Sequence, residues 1–276
     1  MKTVLFVAKP GSQESAHLII KINSYLRSIG VNTVIAKKLD CVDIKEVSDE
    51  TLDYCIAVGG DGTMMGAARD WGLRSIALIG VNLGRVGFLT DIAATNCIED
   101  ISKIMSGRYI SDKRSVLNIQ VHHADKDVEN AIAINDFVCR SKSGSLIEFT
   151  VLVDEEFVYS QYCDGIIVST ATGSTAYSVA AGGSIINPKS KVFSIIPICP
   201  QNLSNRPLIV NEDSKIKIIY SSMEPFDCFY DGIKMDSLAS GSFFVLGKNK
   251  NEYTIYHNEN YSYYNGLRQK LNWNKN

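Results

Sequence analysis

Two stretches decide the reading of this chain: Tyr54-Cys-Ile-Ala-Val-Gly-Gly-Asp-Gly-Thr63 and Asp164-Gly-Ile-Ile-Val-Ser-Thr-Ala-Thr-Gly-Ser-Thr-Ala-Tyr177. Each is a short apolar strand that runs into small, polar residues. Glycine lets a ligand approach the main chain closely and lets the backbone take positive φ. Successive N–H groups in such a turn form an anion-binding concavity, and a helix start behind it adds favourable partial charge. Two such elements about a hundred residues apart imply a two-part cleft for phosphate-bearing molecules.

Around the first stretch, strands and helices alternate. Thr3 to Ala8 is a continuous apolar run ended by Lys9-Pro10-Gly11, as in a strand buried on both faces. From Gln13 to Ile29, Leu18, Ile22, Tyr25 and Ile29 recur at helical spacing, with Ser12 as cap and Gly30 as stop. Strands are predicted at Asn32–Ala36, Tyr54–Val58 and Ser75–Ile79, and helices at Thr63–Asp70 and Ile98–Met105. This alternation predicts an α/β domain with a largely parallel sheet.

From about Arg114 to Leu246 the chain turns to short β-branched and aromatic runs separated by turn residues, which predicts an all-β region. Its one helical candidate is Thr175 to Ala181, and a terminal helix is predicted over Gly266–Trp273. The domain division expected is 1–100 for the α/β part, with 255–276 packing back on it, and 101–254 for the β-rich part.

The bulk numbers exclude several classes. Net charge is −2 over 276 residues, so no global basic field draws the chain to nucleic acid or anionic lipid. No apolar run approaches a membrane span or a signal segment, and a cytoplasmic location is expected. Seven cysteines without C-x-x-C spacing read as buried thiols in a reducing compartment.

Asp61 stands out, because an acid in an anion-binding loop costs electrostatic energy unless it has a task. The tasks open to it are taking a proton from a hydroxyl or holding a metal; the plain alternative is a helix cap. No G-x-x-x-x-G-K-[ST] occurs, so there is no Walker lysine. Gly60, Gly62 and Gly66 miss the dinucleotide fingerprint by one place, and no acid is clearly placed for a ribose about twenty residues on. In the second stretch, Thr170, Thr172, Ser174 and Thr175 offer hydroxyls around Gly173, and Tyr177 can lie against a purine or reach a ribose. Asn135-Asp136 can grip ribose hydroxyls or merely form a turn. Arg85 can meet phosphate or solvent, Thr90-Asp91 reads as a helix cap, and Asp231-Gly232 reads as a hairpin turn at the edge of the site. His122-His123 have no ligand geometry around them, and no metal ligands are assigned.

With these residues in hand, the chain resembles the bacterial-type NAD kinases. The resemblance rests on Gly-Gly-Asp-Gly-Thr63, Gly84-Arg-Val-Gly-Phe-Leu-Thr-Asp91, Ile134-Asn-Asp-Phe137 and Asp164 through Tyr177 to Ala181-Gly-Gly183. It continues through Pro197-Ile-Cys-Pro200, Arg206-Pro207 and Leu267-Arg-Gln-Lys-Leu-Asn-Trp273. It implies a Rossmann-like N-terminal domain and a β-rich C-terminal domain, with the tail returning to the first. It implies transfer of a phosphoryl group from ATP, or polyphosphate, with Mg²⁺, to the 2′-hydroxyl of the adenosine ribose of NAD. By the same resemblance Asp61 is the catalytic acid/base. The nucleotide is contacted by Gly60, Gly62, Thr63 and Phe88. NAD is held by Asn135, Asp136, Asp164, Thr175, Ala176, Tyr177, Ser178 and Ala180. A homodimer or homotetramer is implied too. The sequence departs from the family pattern at Asp136 (glutamate is commoner), Ala171 (proline), Gln201 (histidine), Ile233 (glutamine) and Tyr162 (a basic residue). The Gly59–Thr63 loop is shared with lipid kinases, but no basic or amphipathic docking face accompanies it. A non-catalytic NAD-binding regulator would have no need of Asp61. A plain NAD oxidoreductase is disfavoured by the late third glycine and the missing ribose acid.

Overall fold

The computed structural model describes residues 2–9, 11–35, 52–84, 87–122, 127–202, 204–221, 226–235 and 241–273. Pro10, Ala36, Cys41, Arg85 and His123 lie outside these. The chain divides into two compact units, Met1–Lys113 with Tyr253–Asn276, and Arg114–Glu252. The division falls at 113/114 rather than 100/101. Residue 100 lies inside a helix whose Cys97, Ile101 and Ile104 are buried in the core of the first unit.

The first unit runs β1 (Thr3–Ala8), α1 (Gln13–Ser28), β2 (Asn32–Ile35), β3 (Tyr54–Gly59), α2 (Asp61–Asp70), β4 (Ala77–Asn82), β5 (Ile92–Ala93), α3 (Cys97–Met105) and β6 (Tyr109–Arg114). Ser12 caps α1 by accepting from the Ser15 amide at 3.1 Å, and Gly30 takes φ +78 just past its end. The inward stripe of α1 is Ser15, Ile19, Ile22 and Leu26. This rotates the predicted stripe: Leu18 and Tyr25 sit at its edge and Ile29 is exposed. The helix carries apolar residues on more than half its circumference, so spacing alone allows both stripes. The α2 helix begins at Asp61, two residues earlier than predicted, because an acid in the first turn is favourable there.

Strands β2, β1, β3 and β4 lie side by side in parallel. The β4 register runs from Tyr54 opposite Ala77 to Gly59 opposite Asn82, so β3 and β4 end level. The chain winds to one side of β1 for β2 and to the other for β3. In open sheets of this kind, ligands bind at the carboxyl ends of the strands where the winding reverses. Here those ends are Lys9, Gly59 and Asn82.

The second unit contains β7 (Leu117–His122), β8 (Glu129–Ala133), β9 (Asp136–Ser141), β10 (Ile147–Val153), β11 (Glu156–Cys163), β12 (Gly165–Thr170), α4 (Tyr177–Ala180), β13 (Val192–Ile198), β14 (Leu208–Asn211), β15 (Ile216–Tyr220), β16 (Phe226–Tyr230), β17 (Ile233–Lys234) and β18 (Phe243–Lys248). They form two six-stranded sheets, β11-β10-β15-β18-β7-β8 and β14-β13-β12-β9-β16-β17. Alternate residues of both sheets meet in one core, among them Ile119, Phe149 and Phe244 from the first and Phe137, Val168 and Phe193 from the second. The predicted helix Thr175–Ala181 is a 3₁₀ turn (Thr172–Thr175) followed by the single turn α4.

The chain then returns to the first unit. β19 (Tyr253–Asn258) joins the parallel sheet beside β4, with Ile255 opposite Leu78. The final helix α5 spans Tyr263–Lys270, capped by the Ser262 hydroxyl accepting from Asn265 N, so it starts three residues before the predicted Gly266. Two tyrosines, an asparagine and a glycine are poor helix formers, and the cap decides the start. Among the described residues no helix is long and apolar enough to cross a membrane.

Phe244 is fully buried, with ring centroids 4.9 Å from Phe137 and 6.4 Å from Phe226. Phe244→Ala should lower unfolding free energy by about 3–5 kcal/mol. Urea denaturation checks this, and a loss below about 1 kcal/mol contradicts the packing described.

Candidate functional site

In the first unit the site is built at the strand ends of the winding reversal. Lys9, Ser12, Glu14, Gly59, Gly60, Asp61, Asn82, Leu83, Gly84, Gly87 and Lys270 line an open crevice of about 480 Å³. Gly60 is the N-cap of α2 and provides no side-chain cap, so the first-turn amides of Asp61 and Gly62 have no intrahelical acceptor. A Cβ added at Gly60 or Gly62 would meet nothing within 4 Å. Gly59, Gly60 and Gly62 all have φ outside the left-handed region. The loop therefore uses glycine for open access rather than for positive φ. Thr63 turns back under the loop, its amide donating to Gly60 O at 3.0 Å and its side chain filling the place of a Gly59 Cβ.

Asp61 is held from the segment 87–90. Its Oδ2 accepts from the Phe88 amide at 2.8 Å, and its Oδ1 accepts from the Leu89 and Thr90 amides at 3.1 and 3.2 Å and from Thr90 Oγ1 at 3.1 Å. Thr90 Oγ1 in turn accepts from Asn82 Nδ2 at 2.7 Å, and Asn82 Oδ1 accepts from Gly84 N at 2.7 Å. Thr90 and Asp91 are thus not a helix cap, as the sequence suggested: α3 is preceded by Asn96, and Thr90 is buried under the carboxylate. Oδ1 is saturated by its three donors, while Oδ2 keeps one lone pair for a further donor. Gly87 closes the turn with its amide on Thr90 O at 2.9 Å. A Cβ at Gly87 would overlap both the Asp61 carboxylate and the Thr90 hydroxyl. Phe88 contributes its amide to Asp61 and its ring to a contact with Lys270, whose Nζ lies 5.4 Å from the ring centroid.

In the second unit, Asn135, Asp136 and Thr175–Ser178 come together. Thr170, ending β12, donates its hydroxyl to Ile134 O at 2.7 Å and its amide to Asn135 O at 2.8 Å. Gly173 presses so closely on Asn135 that a Cβ there would lie 2.7 Å from the Asn135 Cα. Asp231 fixes the other side, its carboxylate accepting from Ile134 N at 2.9 Å and Asn135 N at 2.7 Å. Asp231 and Gly232 take φ of 47 and 79 in the β16–β17 turn, the left-handed pair that a tight hairpin needs. Burial above all, and then the charge of Asp231, push the Asp136 carboxyl up to about 7, against the lowering effect of the Tyr177 amide that donates to it. Tyr177 and Ala180 are exposed, Thr175 and Ala176 half-buried, and Ser178 is buried with no hydroxyl partner among the described residues.

Most hydroxyls of the Ser/Thr run are spent inside the turn rather than offered to a ligand. Ser174 binds Ala171 O at 2.7 Å and accepts from Ile186 N at 3.0 Å, and Thr172 accepts from the buried Arg114 at 3.2 Å. Asp164 stands apart from this cluster, exposed at the opposite end of β12, roughly 20 Å from Thr170 by strand rise. His122 stacks on Phe243 at 4.4 Å, a packing role. Arg85 and His123 lie outside the described residues. Five of the six described cysteines are buried free thiols and Cys199 is exposed. Sequence reasoning did not single out Asn82, Arg114 or Lys270. Lys270 lies in the Leu267–Trp273 run that carries part of the family resemblance, whereas Asn82 falls beyond the predicted strand end at Ile79 and Arg114 carried no signal.

An open helix start, a carboxylate fixed beside it and lysines lining the same crevice are the parts that a phosphotransferase uses. The models of the ATP-NAD kinase N-terminal and C-terminal domains match residues 40–109 and 134–257. NAD kinase of Chromobacterium violaceum is 35% identical over 285 residues, covering 99% of this chain and 97% of that protein. NAD kinase of Laribacter hongkongensis is 36% identical over 282 residues, with the same coverage. Among solved structures, yeast NADH kinase complexed with NADH aligns with a TM-score of 0.89 at 24% identity, covering 100% of this chain and 89% of that one. An Archaeoglobus fulgidus NAD kinase in complex with ATP aligns at 0.74 and 24%, covering 99% of each. The chain belongs to the NAD kinase family, and it is an enzyme that phosphorylates NAD. The lipid-kinase and non-catalytic readings find no support in these relatives.

Two outcomes follow from the geometry. Gly87→Ala should dislodge the Asp61 carboxylate, lowering kcat by 10²-fold or more while costing about 1–3 kcal/mol of stability. Unchanged turnover in a steady-state assay would contradict the contact. For Asp136, the folded state holds a proton up to about pH 7 that the unfolded chain releases near 4. Its contribution is full below pH 4 and is lost as pH rises to about 7. Wild type should therefore lose on the order of 2 kcal/mol against Asp136→Asn between pH 5 and pH 8, read from urea midpoints.

Proposed function

We propose that the chain transfers the γ-phosphoryl group of ATP to the 2′-hydroxyl of the adenosine ribose of NAD, giving NADP and ADP. The observation that carries this reading is the Asp61 carboxylate, fixed at the open start of α2 by the amides of residues 88–90. Asp61 Oδ2 orients the ribose hydroxyl and takes its proton as the oxygen–phosphorus bond forms and the bond to ADP breaks. Asn135, Asp136 and the 175–178 turn hold NAD, with Ala180 and Phe88 as further contacts. Gly60, Gly62 and Thr63 shape the loop that receives the donor phosphates. Asp164 serves NAD from outside the Asn135–Tyr177 cluster.

Magnesium enters as the MgATP complex. Among the described residues no group of three acidic, histidine or cysteine side chains could hold a metal. Among the described residues, the crevice has Asp61 and Glu14 as its carboxylates. That donor set fits Mg²⁺ carried on substrate phosphates, which needs one or two protein carboxylates at most. The match to ATP-NAD kinase domains supports ATP as the donor, and polyphosphate is the competing donor. A cytoplasmic homodimer or homotetramer completes the proposal, on the family resemblance.

Phosphoryl transfer has a loose transition state, so positioning and charge neutralisation provide most of the rate. The loss of the base is worth roughly 10²–10⁴-fold. Asp61→Asn should therefore lose most turnover while still binding NAD, measured by NADP formation and by calorimetric titration with NAD. A variant retaining more than about a third of the wild-type rate would sink the assignment.

A further inference from the structure

The Gly59–Thr63 loop has open amides but no lysine of its own, and the sequence near it carries no Walker motif. A nucleoside triphosphate carried as its magnesium complex still brings about two net negative charges into a crevice that, among the described residues, already holds two carboxylates, Asp61 and Glu14. Helix-start amides alone do not offset that charge. The crevice wall contains two ammonium groups, Lys9 beyond the end of β1 and Lys270, the last residue of α5. Among the described residues neither forms an ion pair with a carboxylate. Lys270 is half-buried, and its Nζ is positioned over the ring of Phe88, whose amide binds Asp61.

We infer that Lys270, from the returning C-terminal tail, is a catalytic residue that binds the donor phosphates and neutralises the charge developing on them during transfer. This rests on the reading of the crevice as the donor site. The chemistry matches: a compact ammonium on a flexible stem is a point charge able to follow a phosphoryl group as it moves. The Phe88 ring holds the stem and favours the charged head above its face. The lysine that phosphate-binding loops elsewhere carry in the loop itself is here delivered from 209 positions downstream of Asp61, by a helix that packs back on the first unit.

The test uses the full chain with Lys270→Met, which keeps an apolar stem over Phe88 and removes the charge. NADP formation by wild type from MgATP is measured first; its absence would overturn the donor reading and the inference with it. With wild type active, kcat/KM for ATP should fall by about 10²-fold in Lys270→Met, of the order seen when one transition-state donor is removed. KM for NAD should stay within about threefold, and Lys270→Arg should recover part of the loss. Arg268→Ala, an exposed cation on the same helix outside the crevice, should stay within about twofold of wild type, which separates local charge from helix stability. A Lys270→Met chain with kcat/KM for ATP within twofold of wild type overturns the inference alone. An equal fall in Arg268→Ala overturns it as well, because a general loss of the tail would then explain both.

Discussion

One carboxylate, gathered by a reverse-running turn, organises the first unit. Three amides and one hydroxyl from residues 88–90 converge on Asp61, and each is a charge-assisted hydrogen bond, stronger than a neutral one. The turn can approach this closely only because residue 87 lacks a Cβ. The helix start would attract an anionic side chain by itself. What the turn adds is direction, since a free aspartate at a helix start would swing back to cap the amides that the donor needs. Tied down by residues 88–90, it leaves those amides open. The same contacts that look like structural stitching therefore keep the phosphate loop available.

The second unit fixes a carboxylate by different means. Asn135-Asp136 is pinned between the Thr170–Gly173 turn and the Asp231 carboxylate, with Asp231 accepting from the main chain on one side and Thr170 donating to it on the other. Burying two acids near one another is costly unless amides and protons compensate. Asp136 carries that cost in its raised proton affinity, whereas Asp231 is satisfied by backbone N–H groups. The unit thus holds one carboxylate for structure and poises the other.

How much of this was legible in the sequence follows the range of the forces involved. Local signals read well. Ser12 and Gly30 bound α1, the apolar runs before Gly59 and Ser169 are buried strands, and the change to β-branched runs after Arg114 marks the β-rich unit, though not its division into two packed sheets. Interactions between segments distant in sequence did not read. Thr90 has the composition of a cap but is used by a carboxylate 29 positions earlier, and Asp231 has the composition of a turn but also serves the amides of residues 134–136. The hydroxyls of Thr172 and Ser174 were legible as hydrogen-bonding groups, yet not as groups already satisfied by Arg114 and Ile186. A side chain's chemistry is in its letter, while its partner is set by the fold.

The tail shows why such distance matters in this architecture. β19 enters the parallel sheet beside β4, and its His257 is fully buried against acids from two other segments. His257 Nδ1 bonds Asp91 at 2.9 Å, its Nε2 lies 3.5 Å from Asp112 on β6, and Tyr261 stacks on its ring at 3.7 Å. Asp91 follows directly on Thr90, so the imidazole anchors the far end of the turn that grips Asp61. Four residues after Asn258 closes β19, Ser262 caps the helix that carries Lys270 to the crevice. The chain therefore leaves the first unit with the anchor of its turn and the second of its two crevice lysines still to come, builds the whole β-sandwich, and returns to supply both from one strand–helix segment. A loop with its own lysine could be complete at residue 63. This one is complete only when the last 24 residues, Tyr253–Asn276, have joined the first unit, which ties assembly of the phosphate site to folding of the entire chain.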